Sequence, residues 1–321
     1  MTMKPPRASR LMQQPHHTDL IWEYSQECNK RRNNRSLMNR PFSGPTLRLA
    51  VICAMVLFAV SLRLVIAQST QGGALPLEPA RKSGASITPA FEGWYENADG
   101  SYSLLVGYYN RNSAETLDIP VGPLNKIEPG ELDQGQPTHF ETGRQWGVFV
   151  IKVPKDFGNK AVKWTIEANG ERQSVPFTLH TSYSVTPFKE AGMSNSPPKL
   201  TFVDNGPKLM GPPMGIAAEL ACGVGEAVPI AVSVEDDKGL GRNNSTTVST
   251  LSFHKYRGPG AIKFDNTRVA AKQQGERVSV QATFDKAGEY IVRVQANDES
   301  GEGGGGFQCC WTNALVKVNV K

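Results

Sequence analysis

RVSVQATFDKAGEYIVRVQAN, residues 277–297, is the stretch whose reading decides the fold. Val278, Val280, Ala282 and Phe284 alternate with polar partners, and Tyr290, Val292, Val294 and Ala296 repeat the pattern after Asp285-Lys286-Ala287-Gly288. Successive side chains of a strand point to opposite faces, so a period of two with one apolar series marks a strand with one face on a core. The Asp- and Gly-containing break supplies the turn that joins the two strands.

The same pattern spreads in both directions. Leu315–Val320 alternates likewise, and Lys199–Val203, Val228–Glu235, Val248–Tyr256 and Ala261–Phe264 complete seven short strands. Seven strands joined by Gly- and Asp-rich turns predict an antiparallel sandwich of immunoglobulin type over residues 199–321. Upstream, Phe91–Glu96 and Tyr102–Tyr109 flank Asn97-Ala98-Asp99-Gly100-Ser101, a hairpin. Thr116–Val121, Thr138–Glu141, Trp146–Val153, Ala161–Glu167 and Val175–Leu179 follow, and Val162, Trp164, Ile166 and Ala168 share one strand face. Residues 86–185 therefore read as a first β-sandwich, and the fold class is all-β. Residues 186–198, with Pro197-Pro198, read as a stiffened interdomain connection, and 68–85 as a flexible linker.

Leu49–Leu62 is an uninterrupted apolar run behind arginines, followed by Val65-Ile66-Ala67-Gln68. It is shorter than a relaxed membrane span, and small or compact residues stand where a signal peptidase needs them, so cleavage after Ala67 is expected. Left uncleaved, the run would anchor the chain with its body still exported. Either way the protein is exported: periplasmic, cell-surface or extracellular. Residues 1–37 are polar and aperiodic, Met38 would open a leader of ordinary length, and Arg31-Arg32 lacks the apolar residues of a twin-arginine signal. Residues 1–67 hold ten of the chain's 35 Lys and Arg but three of its 30 acids, Asp19, Glu23 and Glu27. The exported part has no basic bias, which excludes nucleic acid as an expected partner.

Gly258-Pro259-Gly260-Ala261-Ile262-Lys263-Phe264, Ala282-Thr283-Phe284, Ala287-Gly288-Glu289-Tyr290 and Val294-Gln295-Ala296-Asn297-Asp298 together resemble the C-terminal half of PKD-like immunoglobulin domains. Such domains occur in bacterial surface and secreted proteins. The resemblance covers about residues 225–321 and implies a fold, not an activity. The sequence departs from it in an insertion, Pro207–Val224, and in a Gly-rich loop before Cys309. Phe91–Tyr95 and Gly107–Asn112 resemble exported proteins without bringing a function.

No concentrated chemistry stands out. Gly301–Gly306 matches G-x-G-x-x-G but lacks the helix and the later acidic residue of a dinucleotide site. His139, His180 and His254 lie on separate strands without zinc spacing and read as ordinary strand residues. Glu235, Asp236, Asp237 and Asp298 end two strands that share a pole in immunoglobulin order, where they offer a calcium site, against the plainer role of turn caps. Cys222, Cys309 and Cys310 form an odd set for an oxidising compartment, and their pairing is open. Trp94, Tyr95, Tyr108, Tyr109 and Trp146 read as core, with one ring of Tyr108-Tyr109 necessarily out; an exposed aromatic row would instead point to sugar binding. The expected function is a non-catalytic exported binding or structural module of the cell envelope or exterior, with a protein or glycan partner. The alternatives are a carbohydrate-binding accessory protein and an enzyme whose site forms only in the fold.

Overall fold

The computed structural model describes residues 81–190, 194–237, 248–298 and 310–321, and among these there is no α-helix. The leader, Met38, Arg31-Arg32 and Gly301–Gly306 lie outside the described residues. Strands β1 (Ile87–Glu96) and β2 (Tyr102–Asn110) form the expected hairpin. Its turn is closed by Asn97 N–H on Ser101 O at 2.8 Å and by Asp99 Oδ1, which accepts from Ser101 N at 3.0 Å. This local side-chain bond is what makes Asp a turn residue. β1 begins four residues before the predicted strand.

Strand β3 (Leu117–Asp118) pairs with β5 (His139–Phe140). β6 (Gly143–Val153) completes the sheet β1-β2-β6, and β4 (Asn125–Glu128), β7 (Ala161–Ala168) and β8 (Glu171–Thr178) form a second one. In β7 Val162, Trp164, Ile166 and Ala168 are all buried, as their alternation requires. The Trp164 indole N–H, with no water to bond, donates to Asn125 Oδ1 at 2.9 Å. Asn125 in turn donates to Ile119 O and Pro137 O at 3.0 and 2.7 Å, so one buried amide shapes the loops around it. Arg81–Ala85, read from sequence as linker, is pinned. Ala85 N–H donates to Asn112 Oδ1 at 2.7 Å, and Asn112 Nδ2 returns a bond to Ala85 O at 3.0 Å.

The C-terminal strands are β9 (Lys199–Thr201), β10 (Ile216–Cys222), β11 (Ala227–Glu235), β12 (Ser249–Arg257), β13 (Ile262–Phe264), β14 (Arg268–Ala271), β15 (Glu276–Phe284), β16 (Gly288–Asn297) and β17 (Trp311–Val320). They build two sheets, β13-β15-β11-β9 and β10-β17-β16-β12-β14. The early strands are split between the sheets, which is the immunoglobulin-like sandwich expected. One feature differs from the all-antiparallel expectation. β10 runs parallel to β17, with Leu220 opposite Val318. It lies in the stretch read as an insertion, because its pairing partner is nearly a hundred residues away and its own burial alternation is weak. Val278, Val280, Ala282 and Phe284 face Tyr290, Val292, Val294 and Ala296 across one core. Each buried Val or Phe side chain among them stabilises the fold by about 1.5–3 kcal/mol.

The second face of β16 and β17 is not wet. Arg293, Gln295 and Asn313 are each at most 3 % exposed, because the N-terminal sheets pack over them. Tyr256, Ile291 and Leu315 join the N-terminal hydrophobic cluster. The backbone contributes as well, with Thr138 N–H donating to Tyr256 O at 3.2 Å. The connection is packed too: Asn195, Pro197 and Pro198 are buried, and Thr312 Oγ1 donates to Pro198 O. Separating the two sets of sheets would expose this apolar area and leave buried polar groups without partners. A chain nicked between residues 186 and 198 should therefore elute as one species on size exclusion until denaturant is added. Two native-buffer peaks would mean that the junction does not hold.

Candidate functional site

A cleft of about 780 Å³ opens at the edge of this junction, between β3 and β5 on one side and β12 and β13 on the other. Its polar lining includes Asp118, His139, Glu141, His254 and Lys255. Asp118 Oδ1 lies 2.9 Å from His139 Nδ1 and accepts from Lys255 Nζ at 2.8 Å, so one carboxylate bonds to both sides. Glu141 Oε1 is 3.6 Å from His139 Nε2 and 3.7 Å from His254 Nδ1. Burial alone would raise the Glu141 carboxyl, but the two imidazoles outweigh it and hold the group well below the usual carboxylate range. Asp118 is likewise brought down to about 2, its burial being outweighed by His139 and Lys255. Burial pulls the His139 imidazole down, yet Asp118 and Glu141 leave it raised.

Behind the cleft lies a buried ionic network centred on Glu92. Register shifts between Phe91 and Gly93, so Glu92 sits at a bulge of β1 that re-aims its side chain into the junction. Glu92 Oε1 accepts from Arg144 Nη2 at 2.8 Å, and Oε2 from Gly147 N at 2.7 Å. Burial dominates and pushes this carboxyl up to about 7, with Arg144 and the Gly147 amide offsetting part of it. The Arg144 guanidinium also stacks on Trp146, 3.9 Å from the ring centre. Arg293, the cross-strand neighbour of His254, donates to Gln145 Oε1. Tyr108 connects the two layers: its carbonyl accepts from Arg144 Nη1 at 3.1 Å, while its hydroxyl accepts from Glu141 N at 2.8 Å.

No family model and no curated protein match the chain. Among solved structures it is similar to the D0-D1 domain of intimin, at 13% identity and TM-score 0.22 over 73% of this chain and 98% of that one. It is also similar to the Yersinia pseudotuberculosis adhesin InvE, at 12% and 0.22 over 76% and 61%, and to domains 4 and 5 of the S-layer protein SbsC, at 10% and 0.22 over 74% and 98%. Superpositions this loose carry no argument, and the immunoglobulin-like assignment rests on strand order.

The candidate calcium residues are placed as follows. Glu235 is paired with Lys208 at 2.7 Å, and the Asp236 backbone exchanges bonds with the Gln274 amide at 2.9 and 2.6 Å. Asp237 Oδ1 accepts from Ser196 N at 3.2 Å, and Asp298 Oδ2 accepts from Asn195 Nδ2 at 2.5 Å. Two consecutive residues of the connection thus touch Asp237 and Asp298, which share the pole that strand order requires. Among the described residues no three His, Cys, Asp or Glu side chains gather to hold a metal ion. Cys222 is a free thiol and Cys310 is disulfide-bonded, so these two are not each other's partners.

The aromatic residues divide as their spacing implies. Tyr108 is buried and Tyr109 is 38 % exposed with Arg111 over its ring. Trp94 meets Tyr102 edge-on and donates to His180 O at 2.8 Å, and Tyr95 packs edge-on against Phe188. Of the three histidines read as ordinary strand residues, His180 only caps a turn, accepting from Ser182 N at 3.2 Å. His139 and His254 meet at Glu141. Nothing in the sequence signals that meeting, because the two lie on different sets of sheets more than a hundred residues apart, and Glu92, Arg144 and Arg293 carry no motif either.

Proposed function

We propose that the chain is a non-catalytic binding or structural module that works outside the cytoplasm, delivered by the leader that ends at Ala67. It consists of two domains, 86–185 and 199–321, joined by 186–198. The observation that carries this reading is how the junction uses its reactive side chains. Both nitrogens of His139 face carboxylates, Asp118 on one side and Glu141 on the other. An imidazole held in that way has no lone pair free for a substrate, and the same two carboxylates carry the junction, Asp118 accepting from Lys255 and Glu141 facing His254. The junction makes the two sandwiches a single rigid support, suited to presenting loops to a partner. A protein partner is favoured over a glycan, since the rings singled out for a sugar platform are packed or covered by arginines. Nucleic acid is not a partner, and the membrane is one only if the leader stays attached.

N-terminal sequencing of protein recovered from outside the cytoplasm tests the export on which this reading depends. The expected first residue is Gln68. A full-length product confined to the cytoplasm would overturn the proposal.

A further inference from the structure

His139 and His254 approach Glu141 from opposite sides of the junction, while Asp118 bridges His139 and Lys255 across the same edge. A neutral imidazole carries one N–H and one lone pair. With a carboxylate at each nitrogen, neutral His139 must turn its lone pair toward one of them, whereas the imidazolium donates to both. Farther along the junction the ionic link is Arg257 with Asp133 at 2.7 Å, and a guanidinium does not lose its proton near neutrality. Apart from Glu92 behind the cleft, the proton-dependent part is at the cleft edge.

We propose that His139, Glu141 and His254 form a proton-operated latch that closes the cleft edge in mildly acidic surroundings and releases it above neutrality. The groups facing the latch fit this role. On the N-terminal side stand Asp118 and Tyr108, the Tyr108 hydroxyl being pushed far up by burial and so neutral throughout. On the C-terminal side stand Lys255 and Arg293, with Asp285 and Lys286 at the cleft rim. The contact that crosses the junction is His254 on Glu141: as an imidazolium it pairs with the carboxylate and favours the closed edge, and the pairing weakens once the ring is neutral, while His139 holds the same carboxylate from its own side. The lowered Asp118 and Glu141 favour closure above the ordinary carboxylate range and fail only in strong acid.

The amide of Thr138, bonded to Tyr256 O across the junction beside the latch, reports the opening directly. Its hydrogen-exchange protection factor, corrected for intrinsic rate, is measured in the full chain at about pH 5.5 and about pH 8. The expected result is a fall of about tenfold at the higher pH. The His139→Gln/His254→Gln double variant should show equal protection at both, with amides of β16 protected as in the wild type. Glu92→Gln, which removes the other group titrating near neutrality, should keep the wild-type change. Should the double variant not fold, Glu141→Gln serves in its place and should lose most of the change. Equal wild-type protection at both pH values would overturn the latch, as would a full pH response without the histidines or without Glu141.

Discussion

Gly147→Ala should destabilise the folded chain by about 3–5 kcal/mol, the sum expected of core overpacking and backbone strain. A Cβ at this position would stand 1.8 Å from Trp311 Cη2 and 2.4 Å from Cζ2. The Trp311 ring is fully buried and cannot swing away. Gly147 also has φ of +50°, in the region that side chains disfavour. Three contacts converge there: its amide on Glu92, its carbonyl accepting from Asn313 Nδ2 at 2.9 Å, and its Cα against the indole. Gly84→Ala is the natural comparison, since Gly84 has φ of +77° with nothing near its Cβ position. It should cost only the strain, about 1–2 kcal/mol. Urea unfolding of both variants separates the two effects, and equal losses would show that the Trp311 contact is not tight.

The second large effect belongs to Glu92. In mild acid Glu92→Ala should destabilise by about 1–3 kcal/mol, the cost of leaving the buried Gly147 amide and the Arg144 guanidinium without this partner. Above neutrality the loss should be smaller, because burial of the charged carboxylate already offsets those bonds. The pH dependence has a definite sign. The Glu92 carboxyl has an ordinary value of 4.5 and reaches about 7 when folded. Folding therefore takes up a proton between those values. The stability that Glu92 confers is fully present below about pH 4.5 and is lost as pH rises through about 7. Asp118 acts oppositely, its contribution being lost as pH falls toward about 2. Melting temperature should thus peak in mild acid, and Glu92→Gln, which keeps the shape and removes the proton, should flatten the decline toward neutrality. A decline of wild-type size in Glu92→Gln would assign it to other groups.

Much of the strand pattern was legible. β7, β15, β16 and β17 were visible because alternation against a core is a local property of four or five consecutive residues. The hairpin at Asn97–Ser101 was visible because Asp and Gly shape a turn through their own backbones. β4, β10 and β14 were missed. β4 and β14 have only four residues each, too few for an alternation to show, and β10 is placed only by its pairing with β17, nearly a hundred residues away.

The cleft and the Glu92 network were not legible. Arg293 and Gln295 looked like a solvated face because polar residues alternated with buried valines, and the alternation itself was read correctly. By itself the sequence determined the all-β class, the positions of most strands and the residues that face each core, because those depend on neighbours along the chain. The tertiary structure alone decided that the polar face of β16 and β17 is dry and that His139, Glu141 and His254 meet. Both follow from one set of sheets packing on another, and side chains more than a hundred residues apart carry no mark of that contact in their local pattern.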